Sequence, residues 1–282
     1  MLDKDIPICY NNLIIFVLIN INRKDVVLMK RIVGVLLAGT MALSLAGCGG
    51  SDTDTASTSG TKYIIATDTA FPPFEFTDAS GSFTGIDVEL VAAIAEDQGF
   101  AYEMQPLGFD AALTAVQSGQ ADGMIAGMSI TEERKEQFDF SDPYYSADVT
   151  IAVAPGSDID SFEDLKGSKV AVKTGTNGSD YAKSIADEYD LTITEFKDSP
   201  TMYQDVITGN TVACFEDYPV MAYNVQQGAQ LVIPDGCTAA GSDYGFAVKK
   251  GSNAELLAMF QQGLANIKAN GKYQEIIDKY TK

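Results

Sequence analysis

Short apolar runs rich in β-branched residues alternate with amphipathic segments throughout residues 62–282. The series opens with a predicted strand over 63–67, followed by a predicted helix over 87–98 with Asp87 as its N-cap. It restarts near residue 146 with a second set of strands and helices. Alternation of this kind predicts an α/β fold, in which strands form mostly parallel sheets and the helices cover their faces.

Two successive α/β units of similar size predict two lobes. We assign residues 62–145 together with 245–282 to lobe 1, and residues 146–244 to lobe 2. The chain then passes between the lobes twice, near 144–148 and near 241–245, which predicts a hinge made of two crossovers. Ligands of such sheets bind beyond the C-terminal ends of the strands, so the loops that follow the strands are the place to look for a site.

The first 47 residues read as an export signal rather than as part of the fold. A basic pair precedes an apolar run over 32–43, and the stretch LAGC that ends at Cys48 resembles a bacterial lipobox, in which this cysteine carries a lipid. Residues 48–61 are rich in Gly, Ser, Thr and Asp, which predicts a flexible tether. Met29 directly precedes the signal, and translation that starts there is an alternative to the first methionine.

Composition excludes several classes of activity. The chain has no His, so a Ser-His-Asp centre and a zinc site with His ligands are both excluded. Its 19 Lys+Arg stand against 39 Asp+Glu, and this negative charge opposes binding to nucleic acid. Arg134 is the only Arg after the export signal. Apart from Cys48, the cysteines after the export signal are Cys214 and Cys237. In an oxidising compartment these two cysteines form either a disulfide or two buried thiols, and both alternatives stay open.

Six sequence blocks follow one another along residues 62–282. They are ATDTAFPPFEF (66–76), GIDVELVAAIA (85–95), GFDAALTAVQSGQAD (108–122), AGMSITEERKEQFDFSDPYY (126–145), VKTGTNGSDYA (172–182) and the pair Glu216-Asp217. In this order they resemble the family 3 solute-binding proteins of bacterial amino-acid ABC transporters. The resemblance implies a two-lobed periplasmic-binding-protein-like fold of type II, with a mostly parallel sheet flanked by helices in each lobe.

The same resemblance implies a binding protein rather than an enzyme. We expect a lipoprotein outside the cytoplasm, anchored to the cell membrane through Cys48, that captures a polar L-amino acid between its lobes and delivers it to an ABC permease. We expect a monomer with no cofactor, no bound metal and no nucleic-acid partner.

The chemistry of an α-amino acid explains the blocks. Its carboxylate needs a rigid bidentate donor, and a guanidinium meets that need better than an ammonium does. The resemblance assigns this contact to Arg134, and assigns the ligand ammonium to Asp217, the Gly127 carbonyl and the Ser129 hydroxyl. Asp217 also precedes Pro219, so it suits a helix N-cap as well.

Other residues are expected to complete the site. Phe71 and Phe109 are expected to form apolar walls, and the start of the helix near Thr176 and Asn177 is expected to offer backbone N–H groups to the carboxylate. The full predicted site is Asp68, Phe71, Phe109, Ala126, Gly127, Ser129, Arg134, Lys173, Thr176, Asn177 and Asp217.

Asp68 and Lys173 are expected to select the amino acid. An amide side chain can donate to Asp68 and accept from Lys173, which favours glutamine. Glu216 leaves an alternative open, because a further carboxylate near the cleft would favour lysine, arginine, ornithine or histidine. A second alternative is a dehydratase on the same fold that uses Glu216 as its general acid.

Overall fold

The computed structural model describes residues 62–282. The predicted export signal over 1–47, the lipid site at Cys48 and the tether over 48–61 lie outside the described residues. The strands are β1 Lys62–Thr67, β2 Phe76–Thr77, β3 Phe83–Thr84, β4 Ala101–Pro106, β5 Gly123–Met124, β6 Phe138–Phe140, β7 Tyr145–Val153, β8 Lys169–Lys173, β9 Thr192–Phe196, β10 Ala213–Asp217, β11 Thr238–Tyr244 and β12 Ala247–Lys249. The helices are α1 Ile86–Gln98, α2 Phe109–Ser118, α3 Glu132–Lys135, α4 Asn177–Ser184, α5 Ala186–Tyr189, α6 Ser199–Ile207, α7 Tyr218–Gln226, α8 Ala254–Ala269 and α9 Lys272–Thr281, with a 3-10 turn at Glu163–Leu165.

Ten of the strands form two five-stranded sheets, with the orders β4-β1-β5-β12-β6 and β11-β7-β10-β8-β9, and β2 pairs with β3 in a separate two-stranded sheet. In each sheet four strands point the same way and one runs opposite, namely β12 in the first sheet and β7 in the second. Each opposite strand is the one by which the chain enters that lobe after a crossover. The predicted α/β architecture with two mostly parallel sheets is therefore confirmed.

Helices cover both faces of each sheet. In lobe 1, α1 and α8 bury one face, where Phe246 of the sheet region and Phe260 of α8 stack with ring centroids 4.3 Å apart. The close approach of α1 and α8 depends on Gly263, because a Cβ there would lie 2.8 Å from a methyl carbon of Ile94. Helix α2 lies on the opposite face, and α4 and α6 cover the two faces of the lobe 2 sheet.

Three local predictions from the sequence differ from the structure. The short apolar run over 231–233 predicts a strand, but the structure has only a single bridge there, between Val232 and Val153. Strand β11 forms over a segment whose sequence predicts no strand. Asp87 is not the N-cap of α1, because Gly85 holds that position and the Asp87 side chain is buried.

Cys214 and Cys237 are both buried free thiols. The side chain of Cys214 packs in the apolar cluster on one face of the lobe 2 sheet, and that of Cys237 packs in the cluster on the other face. Because the sheet stands between them, no disulfide joins the two residues. Among residues 62–282, no helix is both long and apolar enough to cross a membrane.

The two crossovers run side by side as the antiparallel pair β7 and β11, with Tyr145 opposite Tyr244. A bulge interrupts this pair at Gly241, where a Cβ would lie 1.7 Å from the carbonyl oxygen of Ala147, so a side chain at Gly241 would require the backbone to move. The predicted lobe bounds fall at the ends of these strands and stay a prediction.

Candidate ligand-binding site

A narrow cavity of about 10 Å³ lies between the two lobes. Most of its lining residues follow the C-terminal ends of strands or begin a helix, where α/β proteins hold ligands. The lining residues are Phe71, Phe109, Ala126, Gly127, Ser129, Arg134, Lys173, Thr176, Asn177 and Asp217. The structure thus brings ten predicted site residues together around one cavity. The remaining one, Asp68, does not line the cavity but forms an ion pair with Lys173.

Arg134 enters the cavity from the short helix α3, whose first turn is capped by the Thr131 side chain. Its guanidinium donates to the carbonyl of Ser129 at 2.9 Å and to the carbonyl of Gly175 in lobe 2, and its Cζ lies 5.5 Å from the centre of the Phe109 ring. A guanidinium carries five N–H donors in one plane. The two carbonyls therefore leave donors available for a carboxylate, with the aromatic ring holding the group in place.

The start of α4 faces the cavity from lobe 2. Thr176 caps this helix with its hydroxyl, which accepts from the N–H of Ser179. The first N–H groups of a helix have no acceptor within the helix and carry partial positive charge. The Asn177 side-chain amide is buried near the Asp217 carboxylate, and it makes no hydrogen bond of full geometry to any of residues 62–282. Together with Arg134, these donors form a site suited to an anion.

Asp217 provides the opposite charge at the end of β10. It occupies the N-cap position of α7, yet its side chain caps nothing and instead accepts a hydrogen bond from the Tyr244 hydroxyl. Its second carboxylate oxygen is buried without a hydrogen bond of full geometry, and the Asn177 amide lies near enough to lower the pKa of Asp217. Gly127 also lines the cavity, and its N–H donates a hydrogen bond to Asp87 at 2.9 Å. The Gly127 carbonyl and the Asp217 carboxylate are thus available to an ammonium group.

Affinity for an amino acid should fall as the pH drops below 7. Burial, together with the charge of Glu216, raises the pKa of Asp217 to about 7. Binding a ligand ammonium requires the ionised form, so below that pKa each bound ligand must displace a proton from Asp217. We expect the affinity to fall about tenfold per pH unit below about pH 6. Calorimetric titrations from acid to neutral pH would measure this slope. An Asp217→Asn protein should bind more weakly and show a flatter profile, and an unchanged slope in that variant would assign the titration to another group.

Lys173 lines the cavity from the end of β8, with only 1% of its surface exposed. Its ammonium lies 4.8 Å from the centre of the Phe71 ring and pairs with Asp68 of lobe 1. Burial lowers the pKa of Lys173, but the charges of Asp68 and Glu216 outweigh this effect and raise it. The buried ammonium therefore stays charged.

Glu216 is not part of the cavity wall. One of its oxygens accepts from the Ser199 hydroxyl at 2.7 Å and from the Tyr203 hydroxyl at 2.8 Å, and the other accepts from the Asp217 N–H at 3.1 Å. Lobe 2 itself therefore satisfies this carboxylate. Burial raises the pKa of Glu216, and Lys173 opposes the rise.

Direct contacts across the cleft hold the lobes together around the cavity. They include the polar contacts from Lys173 to Asp68 and from Arg134 to Gly175, and the aromatic contact between Phe76 of β2 and Tyr223 of α7, whose ring centroids are 5.6 Å apart. A cavity enclosed between two lobes that share a two-stranded hinge is the geometry of a two-lobed solute-binding protein.

The chain belongs to the bacterial extracellular solute-binding proteins, family 3, whose family model matches residues 63–282. It is 32% identical over 261 residues to a probable histidine-binding protein of Neisseria gonorrhoeae, covering 89% of this chain and 96% of that one. It is 31% identical over 257 residues to the arginine-binding extracellular protein ArtP of Bacillus subtilis, covering 89% and 98%. The chain is therefore an amino-acid-binding protein of the kind that serves ABC transporters, and its relatives act outside the cytoplasm.

Solved structures agree with this fold. The second substrate-binding domain of Lactococcus lactis GlnP, in an open conformation, is 49% identical with a TM-score of 0.57, over 78% of this chain and 94% of that one. An ancestral arginine-binding protein bound to arginine is 38% identical with a TM-score of 0.74, over 78% and 98%. An ancestral arginine-binding protein bound to glutamine is 40% identical with a TM-score of 0.72, over 78% and 97%. Of these three structures, the two with a bound ligand have higher TM-scores than the open one.

Sequence reasoning missed two groups of residues around the cavity. Tyr244, the donor to Asp217, was assigned only to the hinge region, and Ser199 and Tyr203, which satisfy Glu216, were not considered. Tyr244 lies 27 residues from Asp217 along the chain and on a different strand, so no local pattern announces the contact.

Proposed function

We propose that this protein captures L-glutamine between its lobes and delivers it to an ABC permease. The carboxylate of the ligand would bind Arg134 and the start of α4, and its ammonium would bind Asp217, the Gly127 carbonyl and the Ser129 hydroxyl. Phe71 and Phe109 would flank the aliphatic part of the side chain. The protein would act as a monomer without chemistry of its own.

The observation that carries this proposal is the buried pair formed by Lys173, which lines the cavity, and Asp68. A side-chain amide has both a donor and an acceptor, so it can join this pair without adding charge. Glutamate would bring a carboxylate towards Asp68, and lysine or arginine would bring a cation towards Lys173. Both are costly in a closed site, because a like charge there has lost its solvent screening.

The position of Glu216 weakens the basic-ligand alternative. A carboxylate that selects a cationic side chain must reach it, but the hydroxyls of Ser199 and Tyr203 hold Glu216 off the wall of the cavity. The same placement argues against a dehydratase, because a general acid must lie within hydrogen-bonding reach of its leaving group. Relatives named as histidine- and arginine-binding proteins are the reason to test the cationic ligands directly.

A titration of the purified protein with the twenty amino acids tests the proposal. Glutamine should bind most tightly, with glutamate as the matched control that has the same length but a carboxylate in place of the amide. A protein that prefers arginine, lysine or histidine would refute the assignment and make Glu216 the selective residue. Incubation with prephenate or arogenate and analysis for an aromatic product tests the enzyme alternative, which predicts turnover.

We also propose that Cys48 carries a lipid that anchors the protein to the outer face of the cell membrane. Cys48→Ser should abolish labelling with a radioactive fatty acid and release the protein from the membrane fraction, because the thiol is the only attachment point the motif offers. Cys9, which lies in the predicted export signal, provides the control, and Cys9→Ser should change neither result. A Cys48→Ser protein that still sediments with membranes and takes up the label would refute the anchor.

A further inference from the structure

Two carboxyl groups, those of Glu75 and Asp87, are completely buried together in lobe 1. Glu75 ends the loop after β1 that also carries Phe71, and its backbone N–H donates to the Phe71 carbonyl. Asp87 belongs to the first turn of α1. Neither residue lines the cavity, and none of the proposed ligand contacts involves either side chain.

Asp87 binds two groups that matter for the site. One of its oxygens accepts from the Gly127 N–H at 2.9 Å and from the Tyr144 hydroxyl at 2.8 Å. Gly127 is a cavity residue, and Tyr144 directly precedes the crossover strand β7. The carboxyl of Asp87 therefore connects a ligand-contacting loop to the hinge.

The remaining oxygens of the pair lack donors. Both oxygens of Glu75 and the second oxygen of Asp87 are buried with no hydrogen-bond donor from residues 62–282, although the two carboxyl groups lie within hydrogen-bonding reach of each other. Two buried carboxylates in contact cannot both be ionised at modest cost, whereas one proton between them supplies a donor.

The charges around the pair agree with a retained proton. Burial and the charges of Asp87 and Asp68 raise the pKa of Glu75 well above its usual range, and the more distant Lys173 opposes this only in part. Burial raises the pKa of Asp87 to about 7, opposed by its hydrogen bonds with Gly127, Tyr144 and Glu75. Asp68, Lys173 and the Tyr144 hydroxyl are thus the titratable neighbours that affect the protonation of the pair.

We propose that Glu75 and Asp87 share one proton, and that this acid pair positions the Phe71 loop and the Gly127 loop for ligand binding. Glu75 anchors the first loop, Asp87 anchors the second, and the shared proton joins them. The two loops pack closely against each other, because Gly127 has φ +54° and a Cβ there would lie 2.5 Å from the Phe71 ring. Loss of the proton would set two carboxylates against each other between these loops.

Matched variants separate this role from simple packing. Glu75→Gln keeps a donor towards Asp87 and should bind glutamine within about threefold of the wild-type protein. Glu75→Leu keeps the volume but removes the donor, and Asp87→Ala removes the acceptor for Gly127 and Tyr144. Each of these two should weaken binding by about tenfold or more, the scale of one lost buried hydrogen bond. Equal affinity of the Gln and Leu variants at position 75 would overturn the proposal.

Infrared spectroscopy tests the proton itself without any ligand. At about pH 8.5, where Asp217 is ionised, the wild-type protein should show the carbonyl stretch of a buried carboxylic acid. The band should persist in Asp217→Asn and vanish in Glu75→Gln. A wild-type spectrum without the band, or a band that survives Glu75→Gln, would overturn the proposal even if the Leu or Ala variant fails to fold.

The positioning role rests on the proposed function only in the choice of glutamine as the titrant. Each variant is therefore titrated with arginine as well. If the wild-type protein binds arginine and not glutamine, the proposed ligand is wrong, and the arginine affinities and the infrared band test the acid pair in its place.

Discussion

Arg134→Ala is expected to weaken amino-acid binding by about 2–5 kcal/mol, the range for truncating one partner of a buried, hydrogen-bonded charge pair. The guanidinium carries two roles that the variant loses together. It offers its free N–H groups to the ligand carboxylate, and it joins the lobes through the Gly175 carbonyl. The fold should survive, because Arg134 belongs to neither apolar core and sits on a helix of four residues.

Calorimetry with glutamine measures the loss of binding, and a thermal unfolding curve without ligand shows whether the fold survives. Arg134→Lys should recover part of the lost affinity, because it restores the charge but not the planar pair of donors. Lys135→Ala is the matched control, since Lys135 is exposed and pairs only with Glu132, and it should leave binding unchanged. An Arg134→Ala protein within a factor of two of the wild type would place the ligand carboxylate elsewhere.

The cavity wall was predictable because its residues lie in short sequence blocks whose chemistry fits one class of ligand. Phe71, Arg134 and Lys173 come from three different blocks, yet the resemblance assigned all of them to one site and the structure brings them to one cavity. Strands and helices with strong periodicity, such as β1 and α8, were predictable for a similar reason, because local pattern and tertiary packing agree there.

The unpredicted features depend on contacts between distant parts of the chain. Strand β11 contains Ala, Gly, Ser and Asp, which have low strand propensity, and it is a strand because it pairs with β7. Asp87 stands where a local rule predicts a helix cap, and its real partners, Gly127 and Tyr144, are 40 and 57 residues away. The sequence alone contains no signal that an acid at the start of a helix is buried against a second acid.

Lys173→Met is the most direct test of how the cavity selects its ligand. The variant keeps an apolar chain of similar length but leaves Asp68 and Glu216 without their buried cation. Breaking a buried ion pair by removing one partner costs about 3–5 kcal/mol, so the ligand-free protein should unfold at a lower temperature. Lys183→Met is the matched control, because Lys183 is exposed and pairs with Glu195 at the surface.

The same change should reverse the order of ligands. Glutamine loses the donor to its side-chain carbonyl and should bind about tenfold more weakly or worse, in line with a lost hydrogen bond to a charged group. Arginine and lysine should bind more tightly than to the wild type, because their cations replace the missing ammonium beside Asp68 and no longer meet a like charge. Titration of Lys173→Met and Lys183→Met with glutamine, arginine and lysine measures the ratio of the glutamine affinity to the affinities for the two cationic ligands. If Lys173→Met preserves the wild-type ratio, Lys173 does not contact the ligand side chain, and selection must come from another part of the cavity wall.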